Sequence, residues 1–98
     1  MSLPVVLTPE VGRDADQIRE FLESERKGFG QVFLRQLGKT LSRISDFPKS
    51  YPVLKKNVRA VRIAQFLYVV YYRLHSDRAE VVAILHGRRD APSWQARL

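Results

Sequence analysis

The side chains best equipped for chemistry gather near the end of the chain, in Ala83-Ile84-Leu85-His86-Gly87-Arg88-Arg89-Asp90-Ala91-Pro92-Ser93-Trp94. An apolar run leads straight into an imidazole, a glycine and two guanidinium groups, and Pro92 then stops regular structure. A strand can aim such cations rigidly, and the glycine lets the backbone turn at once after it. Two functions fit this order: binding a polyanion, or packing a polar tail against a partner. Arg88 and Arg89 are not expected in a core, because arginine is rarely buried without a partner. They either bind phosphate or pair with Asp90 or the first helix. Trp94 either packs back on its own domain or anchors in a partner, as interface tryptophans do.

Familiar catalytic motifs are missing. There is no glycine-rich phosphate loop, no His-Glu-x-x-His helix and no nucleophile elbow. His75 and His86 fall on opposite sides of a strand with no carboxylate cluster beside them, so neither a metal nor a cofactor is expected. Metal-independent RNA cleavage would need a base for the 2′-hydroxyl proton, cations for the phosphorane and an acid for the leaving oxygen. Arg59, Arg62, His86, Arg88 and Arg89 would supply the cations and one group titrating near neutrality. No convincing acid–base pair accompanies them. Tyr68 and Tyr72 share a strand face, but aromatic residues at strand spacing are more often core. His86 also has a plain reading as a hydrogen-bonded structural residue. Enzymatic activity is therefore left open, with non-enzymatic binding favoured.

The 98 residues suffice for one domain, taken as 1–98 with 90–98 as a C-terminal tail. A hydrophobic fraction of 45% is ordinary for a globular chain. No cysteine is present, which excludes disulfides and thiolate zinc sites and suits the cytoplasm. Met1-Ser2-Leu3-Pro4 does not read as a secretory leader, and the longest apolar run, Phe66 to Tyr72, is seven residues, so no membrane association is expected. The net charge of +7 is unevenly placed: residues 1–54 hold eight basic and seven acidic side chains, residues 55–98 nine basic and three acidic. A basic half is the electrostatic footprint of nucleic acid or of an acidic protein, or else a solvated face.

These residues need elements to position them. Leu3 to Thr8 reads as a short strand, with Pro4 favouring its start or a sheet edge. Thr8-Pro9-Glu10 opens a helix with a hydroxyl cap, proline in the first turn and an acid near the positive dipole end. Val11, Ala15, Ile18 and Leu22 make its apolar stripe, widened by Phe21. Lys27-Gly28-Phe29-Gly30 separates it from a second helix lined by Phe29, Phe33, Leu37, Leu41 and Ile44, with Val32 and Leu34 in support; Asp46-Phe47-Pro48 ends it. Lys49 to Asn57 reads as a loop. Val58 to Ile63, Phe66 to Arg73 and Ala79 to His86 alternate as strands, joined at Gln65 and at the polar turn His75-Ser76-Asp77-Arg78. The last strand is apolar on both faces and so central. The fold expected is α+β in the order β-α-α-β-β-β, a helical hairpin packed on a small, antiparallel-rich sheet.

Several of these stretches, in this order, resemble the RelE/ParE superfamily of type II toxin–antitoxin toxins. They are Asp16-Gln17-Ile18-Arg19-Glu20-Phe21-Leu22, Phe33-Leu34, Phe47-Pro48, Val61-Arg62-Ile63, Phe66-Leu67-Tyr68-Val69-Val70-Tyr71-Tyr72 and Ile84-Leu85-His86-Gly87-Arg88-Arg89-Asp90. The terminal His-x-x-Arg-Asp stretch is closer to the ParE branch. The resemblance implies a toxin that inhibits DNA gyrase and is neutralised by a cognate antitoxin, meeting operator DNA only through that antitoxin. The RelE-type alternative is a ribosome-dependent endoribonuclease acting on messenger RNA. Its members often use a C-terminal tyrosine, and here no tyrosine follows Tyr72. On this reading Arg59, Arg62, His86, Arg88, Arg89 and Trp94 meet the target or partner. Phe21, Phe33 and Leu37 mark the groove for an acidic, apolar antitoxin segment.

Overall fold

The Thr8 hydroxyl caps the first helix, accepting the Val11 N–H at 3.3 Å, and α1 runs Pro9–Glu25 with proline in its first turn. A computed structural model describes residues 2–87 and 92–98, with Pro92 and Ser93 described by backbone only. Gly28 takes a φ of 92° between the helices, a left-handed conformation that suits glycine. It is the N-cap of α2 (Phe29–Asp46) and has no side chain of its own to cap with. Glu23 substitutes from α1, its carboxylate accepting the N–H groups of Gly28 at 2.9 Å and Gly30 at 3.0 Å. An anion at the positive end of a helix is favourable. Those backbone hydrogen bonds, helped by Lys27 and Arg19, hold the Glu23 carboxyl below the ordinary carboxylate range.

The strands are β1 (Val5–Leu7), β2 (Val58–Arg62), β3 (Tyr68–Leu74) and β4 (Ala79–His86), followed by a short α3 (Pro92–Gln95). They form one sheet in the order β1-β4-β3-β2. Both pairings among the last three strands are antiparallel. β1 joins through a parallel pairing that sets Val5 opposite Ala79 and Leu7 opposite Val81. The sheet is therefore mixed, and β4 is central.

Between Tyr71 and Tyr72 the β3–β4 register slips. Tyr71 pairs with Ala83 and Tyr72 with Val81, leaving Val82 as an extra residue in β4. Such a bulge reverses which face the following side chains take. Val81 and Ile84 consequently join the core beneath the helices, whereas Val82, Ala83 and Leu85 pack on the outer face with Val58, Tyr71 and Trp94. This is how one strand is apolar on both sides. The helix-side core centres on Phe33, edge-on to Phe66 at 5.7 Å and to Tyr68 at 5.9 Å.

Some boundaries differ from the sequence pattern. Phe66 is core but not strand: Gln65 has a φ of 74°, the Phe66 N–H bonds to the Ile63 carbonyl, and pairing resumes at Tyr68. Leu34 and Phe21, read as part of apolar stripes, are exposed. Each stripe is narrower than its hydrophobic residues suggest, because only the a/d-like rows reach the sheet. Among the described residues no helix is long and apolar enough to cross a membrane.

Candidate functional site

His86 ends β4 opposite Tyr68, with the two rings edge to face at 5.5 Å. The next residue bonds back, its N–H reaching the Leu67 carbonyl at 2.6 Å. Gly87 suits this close approach, because a Cβ there would lie 3.1 Å from the same carbonyl oxygen. His86 thereby comes to line two grooves. One, of about 290 Å³, runs between α1 and the outer edge of β4, with Asp14, Gln17, Phe21, Tyr68 and Arg97 among its walls. The other, of about 240 Å³, is formed by Arg62, Leu67, Val69 and Gly87 together with His86.

The first groove is closed at one end by an ionic clamp. β1 follows β4 only as far as Val81, so the outer edge of β4 beyond it carries backbone groups that need other partners. Asp14 on α1 accepts the Ile84 N–H at 3.1 Å, and Arg97 donates to the Val82 carbonyl at 3.3 Å. The two side chains also grip each other through a fork, Nη1 to Oδ2 at 2.5 Å and Nη2 to Oδ1 at 2.9 Å. Arg97 Nε lies 3.2 Å from Glu10. The hydrogen bonds that Arg97 donates to Asp14 raise its pKa further above its already high value. Neither Asp14 nor Arg97 stands out in the sequence. They are 83 residues apart, and only the free edge of β4 explains their pairing.

The five residues expected to act together do not all converge. Arg62 is exposed, donates Nε to the Phe66 carbonyl at 2.9 Å and shares the second groove with His86. Arg59 lies on the opposite face of β2 and points elsewhere. Its Nη1 donates to the carbonyls of Tyr51 at 2.7 Å and Lys49 at 3.3 Å, which corrects its placement in a common cationic cluster. Strand alternation is the reason, since positions 59 and 62 differ by an odd number. Arg88 and Arg89 lie outside the described residues.

Trp94 is 3% exposed and stacks on Tyr71 at 5.5 Å with an interplanar angle of 18°, so it packs back on its own sheet. Of the three groove residues expected on the helices, Phe21 is 54% exposed and borders the first groove. Phe33 and Leu37 are buried under the sheet and offer no surface, a correction that follows from their place on the inner face of α2. Tyr72 is fully buried, donates its hydroxyl to the Pro48 carbonyl at 2.5 Å, and is pushed up to about 12 by desolvation. His75 pairs with Glu80 at 3.0 Å, well away in sequence register from His86. Among the described residues no group of three His, Asp or Glu is placed to hold a metal ion.

Comparison with known proteins agrees with this architecture. No curated protein matches the chain in sequence. A solved chain from the chromosomal ParDE TA system of P. aeruginosa superposes with a TM-score of 0.77 at 10% identity, covering 87% of this chain and 96% of its own. At that identity the likeness is one of fold. The family described as the ParE toxin of the type II toxin–antitoxin system parDE matches residues 5–91. The chain belongs to the ParE toxin family of type II toxin–antitoxin systems.

Proposed function

We propose that this toxin arrests growth by binding DNA gyrase, with His86 and Arg62 at the contact surface, and that it cleaves no RNA. One observation supports the proposal: the carboxylate that lines the groove beside His86 is already engaged. Asp14, the carboxylate of the first groove, is bound by Arg97 and the Ile84 N–H. Tyr72, four residues along β3 from Tyr68 and outside both grooves, is fully buried with its hydroxyl on the Pro48 carbonyl. What remains around His86 and Arg62 is a cationic, partly apolar surface suited to contact. Arg88 and Arg89 follow in the sequence and lie outside the described residues.

A cognate antitoxin is the second partner. Its acidic, apolar segment covers the groove at Phe21 and reaches the basic side of the sheet. Operator DNA is met only through the antitoxin. Both partners place the site of action in the cytoplasm.

Supercoiling by purified gyrase, in the presence of toxin purified from its antitoxin complex, tests the proposal. Inhibition or an accumulated cleavage complex is expected, weakened at least tenfold by His86→Ala combined with Arg62→Ala. Unchanged supercoiling from a preparation that still arrests growth would refute it. Codon-specific cuts in message ends after induction would instead establish the endoribonuclease.

A further inference from the structure

Between Asp46 and Asp77 the chain has no acidic residue, yet it has six basic ones: Lys49, Lys55, Lys56, Arg59, Arg62 and Arg73. This stretch holds β2 and β3 and the segment leading into them, on the flank of the sheet remote from β1. Among the described residues none of the six takes part in a salt bridge.

The segment is also held in shape. Val53 bridges Arg59, the Leu54 N–H bonds to the Val58 carbonyl at 2.7 Å, and the Val58 N–H bonds to the Lys55 carbonyl at 3.0 Å. Lys56 and Asn57 between them both have positive φ, 55° and 62°, as a two-residue type I′ hairpin turn requires. Asparagine tolerates that conformation, whereas a lysine in it is uncommon and strained. The preceding turn is fastened from the sheet, by Arg59 on the carbonyls of Lys49 and Tyr51 and by the Tyr72 hydroxyl on the carbonyl of Pro48.

On this fixed platform three large apolar side chains face solvent: Phe47 is 62% exposed, Val53 50% and Leu54 46%. Lys49, Lys55 and Lys56 are exposed beside them in the chain. Exposed apolar groups interleaved with uncompensated cations mark an interaction surface.

We propose that the segment from Phe47 to Arg59 is a second docking surface, and that its occupant is an acidic polypeptide segment carrying aliphatic side chains. A nucleic acid would satisfy the lysines but leave Val53 and Leu54 against phosphate and sugar, and of the three exposed apolar groups only Phe47 offers a ring on which a base could stack. A segment with carboxylates flanking leucine or valine satisfies both. The surface is on the opposite flank from the α1–β4 groove, and its residues, 47–59, include neither His86 nor Arg62, so its test is separate from that of the gyrase reading.

The test uses two fluorescently labelled twelve-residue peptides, one with six glutamates and three leucines, the other with those leucines replaced by serine. A duplex DNA serves as the third probe. Anisotropy at low salt is expected to show the leucine peptide bound about fivefold or more tighter than the serine peptide. Lys55→Glu with Lys56→Glu should weaken it at least about tenfold, and Leu54→Ser should abolish the preference for leucine. Circular dichroism of each variant confirms folding. Equal binding of the two peptides, or preferred binding of DNA that Leu54→Ser leaves unchanged, would overturn the proposal. So would no binding of either peptide.

Discussion

The two flanks of the sheet treat charge in opposite ways. Beside β4, Arg97 is matched by Asp14 and Glu10, and Asp14 also satisfies a backbone N–H, so the charges serve the fold. Beside β2, Lys49, Lys55 and Lys56 have no carboxylate partner among the described residues and stand next to exposed apolar groups. A net charge of +7 therefore says little until it is divided by location. Cations closing an incomplete sheet edge contribute stability, and cations without partners contribute long-range attraction.

The largest effect should come from breaking the clamp. Asp14→Ala leaves Arg97 without its fork and the Ile84 N–H without an acceptor, and should cost about 2–3 kcal/mol in urea denaturation. Less is expected from Tyr72→Phe, which strips a hydroxyl from the half-buried Pro48 carbonyl and should cost about 1 kcal/mol. Tyr72 also predicts an alkaline limit. Its folded pKa, about 12, lies above the ordinary value of 10.0, so the folded chain holds this proton more tightly than the unfolded one. Its contribution is complete below pH 10 and is lost as pH rises towards 12, and the Tyr72→Phe variant should lack that slope. On the β2 flank the sign reverses. Lys56→Gly should stabilise by roughly 0.5–1 kcal/mol, because it relieves a lysine held at positive φ.

Much of this fold was legible because local chemistry and periodicity agreed. The Thr8-Pro9-Glu10 start, the inward stripe of α2 and the two-faced apolar run of β4 were all readable from residue type and spacing. The parallel pairing of β1 was not, because nothing local distinguishes it from an antiparallel neighbour. Nor was the bulge at Val82, which decides which of the β4 residues reach the helices. At the site, His86 beside Gly87 was visible as a strand end. Arg59 and Arg62 fall on opposite faces by strand alternation alone, but the carbonyls of Lys49 and Tyr51 that take up Arg59 had no signal in the sequence. Asp14 and Arg97 carried no signal, since long-range ion pairs depend on an edge that only the folded sheet creates. Phe21, Phe33 and Leu37 looked equivalent as hydrophobics, and only their helical phase separates surface from core.

The contrast between the flanks is tested most directly by the urea midpoints of two charge reversals, Arg97→Glu against Lys55→Glu with Lys56→Glu. The first should lose about 3 kcal/mol or more, because it sets a third carboxylate against Asp14 and Glu10. The second should stay within about 0.5 kcal/mol of the parent chain, as surface substitutions without structural partners do. Equal losses from both would contradict the account, because the lysines of the β2 flank would then be holding the fold together and not awaiting a partner.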